Sequence, residues 1–140
     1  MDNLKIIVID DDIWIQRILS KTLQDIGFTS SAASNGFDGV ALAVEQQPVL
    51  IVLDILMPEL SGHLTLKLLK TIGLTKNIPV VMVTAVSDKE SLALAVKGGA
   101  VGFIRKPFTQ NTVLEKLRDI LGVEMLNALS TRISFDGDHA

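Results

Sequence analysis

Runs of mostly apolar residues alternate along the chain with longer amphipathic segments, and this alternation constrains the fold more than any other feature of the sequence. The apolar runs are Lys5–Ile9, Val49–Leu53, Pro79–Val83 and Val101–Arg105. Runs that are apolar throughout, rather than at every second residue, predict strands buried on both faces of a parallel sheet. A weaker and more polar run, Phe28–Ala33, suits the edge of that sheet. The sequence therefore predicts five strands.

Helix signals fill the segments between these runs. After the first run, apolar residues recur at helical spacing from Ile15, and Gly27 stands where a glycine commonly ends a helix. Further helices are predicted from a cap at Ser34 or Asn35 to about Gln47, over Leu60–Ile72, from a cap at Ser87 or Asp88 to about Gly98, and from Thr109 or Asn111 to Gly122. Because a helix follows each strand, the sequence predicts an α/β fold with a parallel sheet covered on both faces and right-handed crossovers.

The length and composition suit a single domain. A chain of 140 residues with a 48% share of hydrophobic residues can bury one core. We expect the domain to cover residues 1–122. Residues 123–140, with Met125, Leu126 and Leu129 at helical spacing, should form a C-terminal tail or the start of a linker.

The charge and the amino terminus exclude several classes of function. A net charge of −3 provides no field for direct binding to nucleic acid or to anionic lipid. The amino terminus has neither the pattern of a signal peptide nor the length of a membrane span, and the chain contains no cysteine. We therefore expect a cytoplasmic protein that does not bind membranes.

Charged and hydroxyl residues follow the predicted strands. They are Asp10, Asp11 and Asp12 after the first strand, Asp54 after the third, Thr84 after the fourth and Lys106 after the fifth. Ligands of open parallel sheets bind at this edge. Each residue alone could be a helix cap or a surface charge, but several carboxylates close together repel one another unless a cation intervenes, and oxygen ligands favour Mg²⁺. A carboxylate beside a metal, a lysine and a hydroxyl suits phosphoryl transfer, with Asp54 as either ligand or nucleophile.

The motifs that contain these residues resemble those of a known family. I-I-V-I-D-D-D, V-L-D-I-L-M-P-E-L-S-G, V-V-M-V-T-A and F-I-R-K-P-F occur in this order at the strand ends. They are similar to the motifs of response-regulator receiver domains from two-component signalling, and the similarity covers about Leu4 to Gly122. The resemblance implies a flavodoxin-like (βα)5 fold, which is a doubly wound parallel sheet of five strands in the order 2-1-3-4-5.

The resemblance also implies a role for each site residue. Asp54 would be the phosphoacceptor, Thr84 and Lys106 would assist it, and Phe103 would be the switch aromatic that moves together with Thr84. Mg²⁺, or Mn²⁺ in its place, would be held by Asp10, Asp11, Asp54 and the backbone carbonyl of Leu56. Asp12 is the second choice for the acid pair and is otherwise expected to cap the first helix. Pro107 would follow a cis peptide bond.

The same resemblance implies partners. The phosphoryl group would come from a sensor histidine kinase or a histidine phosphotransfer domain, which would be recognised through exposed residues of the first helix such as Trp14, Gln16 and Arg17. The chain would be a signalling domain that assists its own phosphorylation and dephosphorylation, rather than an enzyme acting on other substrates. Its output face would be the fourth helix, fifth strand and fifth helix. The downstream effector is not implied, and a phosphorylation-dependent dimer stays open.

Alternative functions fit the residues less well. Asp10-x-Asp12 also resembles the nucleophile motif of haloacid-dehalogenase-type phosphohydrolases. That family would have a further acidic motif after the strand that precedes the lysine, whereas Asp136 and Asp138 lie in a tail that no predicted strand precedes. A flavodoxin-like FMN carrier would need a hydroxyl-rich phosphate loop where this chain has three carboxylates. His63, which could suggest a phosphohistidine, is predicted to be a solvated residue in the first turn of the third helix.

Overall fold

A single parallel sheet organises the computed structural model, which describes residues 4–122. Its strands are β1 (Lys5–Ile9), β2 (Thr29–Ala33), β3 (Leu50–Leu53), β4 (Val80–Thr84) and β5 (Gly102–Arg105). They lie in the order β2-β1-β3-β4-β5, and each neighbouring pair is parallel. The predicted doubly wound fold and its strand order are confirmed, and the observed strand bounds agree with the prediction to within about one residue at each end.

A helix follows each strand. The helices are α1 (Ile13–Asp25), α2 (Gly36–Gln46), α3 (Gly62–Thr71), α4 (Lys89–Lys97) and α5, which begins at residue 110 and continues to 122, the last described residue. Asp12, Asn35 and Asp88 cap the first, second and fourth helices. The prediction for α3 began too early, because Ser61 is the cap and its hydroxyl accepts a hydrogen bond from the Leu64 amide at 3.3 Å.

The core consists of two apolar layers, one on each face of the sheet. Side chains alternate between the faces along a strand, so Ile6 and Val8 of β1 pack with α1 and α5, whereas Ile7 and Ile9 pack with α2, α3 and α4. All four of these side chains are fully buried. Because both faces are covered, polar residues are left to the ends of the strands.

The predicted tail residues Met125, Leu126 and Leu129 lie outside the described residues, as do Asp136 and Asp138. The proposed division at residue 122 therefore stays a prediction. Within residues 4–122, no helix has the length and apolar character needed to cross a membrane.

Candidate functional site

The register of the sheet brings Asp10 and Asp54 side by side. Ile9 of β1 is paired with Leu53 of β3, so the next residue of each strand lies just past the ladder. The Asp54 amide still donates a hydrogen bond to the Ile9 carbonyl at 3.0 Å. Both aspartates are buried, with relative exposures of 1% and 5%. Two acidic side chains thus lie at the carboxyl edge of the sheet, in surroundings that favour ionised carboxylates only if a cation is near.

Asp11 completes a cluster of three carboxylates with Asp10 and Asp54. One carboxylate oxygen from each lies within 4.8 Å of the others. Asp12 is engaged elsewhere, since its carboxylate accepts hydrogen bonds from the amides of Trp14 at 2.9 Å and Ile15 at 3.4 Å. This is the helix cap that the sequence predicts, and it favours Asp10 and Asp11 as the acid pair.

Lys106 reaches this cluster from the far edge of the sheet. Its ammonium nitrogen Nζ lies 2.8 Å from Asp10 Oδ2 and 3.2 Å from Asp54 Oδ2. The Lys106 backbone amide donates to the Thr84 carbonyl at 3.0 Å, which ties the lysine to the end of β4. The Lys106–Pro107 peptide bond is cis, as the resemblance implied. One cation thus bridges the two buried carboxylates.

Burial and neighbouring charges shift the pKa values of Asp10 and Lys106. Burial raises the pKa of Asp10, the neighbouring Asp54 charge raises it further, and the hydrogen bonds from Lys106 and the Asp12 amide only partly offset these effects. Burial lowers the pKa of Lys106, but its hydrogen bond to Asp10 and the charges of both aspartates outweigh burial, so that this pKa is raised and the lysine stays charged. With all three carboxylates ionised, the single ammonium of Lys106 would leave two negative charges in the cluster.

The cluster fits a divalent cation. A divalent ion would cancel the two remaining negative charges, and carboxylate oxygens are the ligands preferred by Mg²⁺ and Mn²⁺. The residues at this edge can therefore hold such a metal ion. The role of the Leu56 carbonyl as a metal ligand stays a prediction. The Leu56 amide donates a hydrogen bond to Asp54 Oδ1 at 3.3 Å, and the Leu56 side chain is exposed.

Thr84 is the last residue of β4, the strand next to β3, and Phe103 lies on β5, the strand after that. The buried Thr84 hydroxyl accepts a hydrogen bond from the Val86 amide at 3.1 Å, which leaves its own hydrogen free for another acceptor. Phe103 is paired with Met82 in the sheet, and its half-buried side chain packs against the layer that contains α3 and α4. Their switch roles stay predictions.

Two expectations about polar residues were wrong. Gln16, predicted to be exposed, is half-buried, and its side-chain amide donates to the Asp10 carbonyl at 2.6 Å. His63, predicted to be solvated, is half-buried, and its Nε2 atom is buried with no hydrogen-bond partner among the described residues. Helical periodicity predicts which face of a helix is apolar but not which polar residue meets a strand end. Trp14 and Arg17 are exposed as expected, with the guanidinium 5.4 Å from the centre of the indole ring.

Gly62 is a site residue whose role the sequence did not reveal. A Cβ atom there would overlap the carbonyl oxygen of Asp54 and lie 2.5 Å from the Cα of Ile55. The Gly62 amide also donates to the Ile55 carbonyl at 2.8 Å. The start of α3 is therefore in close contact with the main chain of Asp54 and Ile55. A glycine at the first helical position, directly after the serine cap, is the signal that could have indicated this.

Gly62→Ala should destabilise the protein and displace Asp54. Backbone atoms cannot move aside as the end of a flexible side chain can, so we expect a loss of about 1–3 kcal/mol in the free energy of unfolding. Urea denaturation would measure it. Gly73→Ala is the matched control, since no heavy atom lies within 4 Å of its added Cβ. Equal midpoints for the two variants would contradict the close approach at Gly62.

Comparisons with known proteins agree with this fold. The chain matches the family model of the response regulator receiver domain over residues 6–118. Protein PilG of Pseudomonas aeruginosa is 35% identical over 120 residues, which cover 84% of this chain and 87% of PilG. The probable transcriptional regulatory protein SilR of Salmonella typhimurium is 33% identical over 118 residues, which cover 84% of this chain and 51% of SilR. The chain spans about half the length of several curated relatives that it matches.

A solved structure shows the same architecture. The chemotaxis protein CheY4 of Vibrio cholerae superposes with a TM-score of 0.81 at 29% sequence identity, covering 85% of this chain and 99% of CheY4. The family match over residues 6–118 begins within β1 and ends within α5. With a family match from β1 into α5 and relatives above 30% identity, the chain belongs to the family of response regulator receiver domains.

Proposed function

We propose that this chain accepts a phosphoryl group on Asp54 and relays the change to the face formed by α4, β5 and α5. The observation that carries the proposal is the bridge made by Lys106 Nζ between Asp10 Oδ2 and Asp54 Oδ2, at 2.8 and 3.2 Å. It aligns a carboxylate with a cation that can neutralise the charge of an incoming phosphoryl group. Treatment of the protein with acetyl phosphate and Mg²⁺, followed by intact-mass measurement, tests it.

Asp54 would act as the nucleophile. One carboxylate oxygen attacks phosphorus, and the bond from phosphorus to the donor breaks. With acetyl phosphate the leaving group is acetate. With phosphohistidine the electron pair of the P–N bond returns to the ring nitrogen, and the ring, carrying a proton on one nitrogen, leaves as neutral imidazole. Asp54 gains an acyl phosphate in either case.

The acidic cluster would hold the metal that this chemistry requires. Asp10, Asp11, Asp54 and the Leu56 carbonyl are the proposed ligands of Mg²⁺ or Mn²⁺. When bound, the metal supplies positive charge against the phosphoryl oxygens. Both oxygens of Asp10 already have a partner, since the Asp12 amide donates to Oδ1 at 2.9 Å and Lys106 faces Oδ2, but each would keep a second lone pair for a metal.

Thr84 and Phe103 would transmit the change. The free hydrogen of the Thr84 hydroxyl can be donated to a phosphoryl oxygen on Asp54, which requires the end of β4 to move toward β3. Phe103 packs beside β4, and inward rotation of its ring would fill the space that Thr84 leaves. The hydrogen bond from the Lys106 amide to the Thr84 carbonyl supports a coupling between Lys106 and movement of the end of β4.

Lys106→Met should strengthen Mg²⁺ binding but weaken the metal-free protein. The variant keeps the length of the side chain but removes the ammonium that shields Asp10 and Asp54, so the metal would face more negative charge. We expect Kd for Mg²⁺ to fall about threefold to tenfold, and the free energy of unfolding without metal to fall by about 3 kcal/mol. The phosphorylation response, read as a change in Trp14 fluorescence, should be impaired. Titration calorimetry would measure Kd for Mg²⁺, and urea denaturation would measure the free energy of unfolding.

Lys67→Met, at an exposed position of α3, is the control for the loss of one positive charge. Weaker Mg²⁺ binding by the Lys106 variant would mean that the lysine organises the metal ligands rather than competing with the metal. A Lys106 variant that is unfolded under all conditions would mean that the lysine is required for the fold.

The proposed partners follow the family. The donor would be a sensor histidine kinase or histidine phosphotransfer domain in the cytoplasm, docking near Trp14 and Arg17 of α1. SilR and RpaA of Synechocystis are named as transcriptional regulators, and we propose no particular effector for this chain. We propose no direct contact with nucleic acid for this chain, and a dimer formed on phosphorylation stays open. Cross-linking before and after phosphorylation would test for the dimer.

A further inference from the structure

Gln16 connects α1 to the ends of two strands. Its side-chain nitrogen Nε2 lies 2.6 Å from the carbonyl oxygen of Asp10, 3.0 Å from the hydroxyl of Ser34 and 3.4 Å from the carbonyl oxygen of Ala33. Ser34 directly follows β2, and Asp10 directly follows β1. A single amide group thus holds the first turns of α1 against the edge where the carboxylates gather.

The Asp10 carbonyl needs this donor because the ladder ends before it. β1 ends at Ile9, and the Asp10 amide makes the last contact with β2 by donating to the Ala33 carbonyl at 3.1 Å. The side chain of Asp10 is almost fully buried. A carbonyl left without a donor in such surroundings costs about 1–3 kcal/mol. Gln16 supplies the donor that a neighbouring strand supplies elsewhere in the sheet.

Holding this carbonyl orients Asp11. The Asp10 carbonyl belongs to the planar peptide that joins Asp10 to Asp11, so a fixed oxygen also fixes the direction in which the Asp11 chain leaves. Asp10 and Asp54 have further supports, because the amides of Asp12 and Leu56 donate to their carboxylates. Asp11 is exposed, and within residues 4–122 nothing donates a hydrogen bond to its carboxylate. Its position therefore depends on its backbone.

We propose that Gln16 is a positioning residue for the metal site, which sets the affinity for Mg²⁺ by fixing the Asp10–Asp11 peptide without touching the metal. The role assigned to Gln16 rests on the proposed function, since it requires Asp11 to be a metal ligand. An amide suits the position because it donates to the carbonyl and adds no charge to the cluster. Groups that orient metal ligands commonly change metal affinity by about 10- to 100-fold.

Gln16→Met tests the role directly. Methionine has a similar unbranched length and helix propensity but no donor, so the helix is kept while the hydrogen bond to Asp10 is lost. We expect Kd for Mg²⁺, measured by titration calorimetry, to rise about tenfold, the low end of that range. Gln24→Met, at an exposed position of the same helix, is the matched control and should bind as the wild type does. Circular dichroism before each titration ensures that only folded protein is compared. If Gln16 only stabilised the fold, the folded variant would bind Mg²⁺ with the Kd of the wild type.

Gln16→Glu provides a second test, in which the added charge and the lost hydrogen bond should have opposite effects on Mg²⁺ binding. It keeps the shape of the side chain, lacks the donor and adds a negative charge near the cluster. Charge alone would tighten Mg²⁺ binding, whereas a lost positioning contact weakens it, and weaker binding is the expected result. Binding equal to or tighter than that of the wild type, or a Gln16→Met variant that matches Gln24→Met, would overturn the role of Gln16. If Asp11→Ala binds Mg²⁺ as the wild type does, the proposed metal site itself is wrong.

Discussion

Incubation with acetyl phosphate and Mg²⁺ should add one phosphoryl group to the wild-type chain and none to Asp54→Asn. The Asp54 carboxylate is the attacking group, and its negative charge makes it a nucleophile. The amide oxygen of asparagine lacks this charge. We expect the yield to fall by roughly a thousandfold or more, which is the scale of removing a nucleophile. Asparagine preserves the shape of the side chain, and Lys106 keeps its contact with Asp10 at 2.8 Å, so the variant should fold. Intact-mass spectrometry measures the product.

Asp119→Asn is the matched control, because this aspartate is exposed on α5 and lies apart from the acidic cluster. It should be phosphorylated to the same extent as the wild type. Peptide mapping of the wild-type product, after reduction of the acyl phosphate with borohydride, should place the label on Asp54. Full labelling of the Asp54 variant would move the phosphoacceptor to another carboxylate.

Asp11→Ala should weaken Mg²⁺ binding at least tenfold, whereas Asp12→Ala should change it little. The Asp11 carboxylate lies within 4.8 Å of the carboxylates of Asp10 and Asp54, but the Asp12 carboxylate is turned to the amides of Trp14 and Ile15. Removing a charged ligand from a hard-cation site loses both a bond and the attraction of its charge. Titration calorimetry would rank the two variants.

Thermal or urea denaturation should rank the same two variants in the opposite order. Asp12→Ala removes a helix cap and should cost about 1 kcal/mol of stability. Asp11→Ala removes one of three mutually repelling carboxylates and should leave the metal-free protein as stable as the wild type or slightly more so. If Asp12 proves to be the variant that loses the metal, the acid pair shifts by one residue to Asp11 and Asp12.

Much of the fold could be predicted because its signals are local. Uninterrupted apolar runs such as Lys5–Ile9 are stable only when both faces of a strand are covered, and short polar residues such as Asp12 and Asn35 cap the helices that follow. The edge position of β2 followed from its polar composition. The meeting of the acidic residues and the lysine of the candidate site could also be predicted, because a parallel sheet gathers the carboxyl ends of its strands at one edge.

The tertiary structure alone decided how these residues meet. Sequence spacing does not specify that Lys106 spans from β5 to Asp10, that Gln16 turns inward to the end of β1, or that Gly62 presses on the main chain of Asp54. Each of these contacts joins groups from different elements, and its geometry depends on how helices pack on a twisted sheet to within a fraction of an ångström. Local patterns determine which residues form a strand, a helix or a cap, whereas the distances between elements arise only when the whole core is packed.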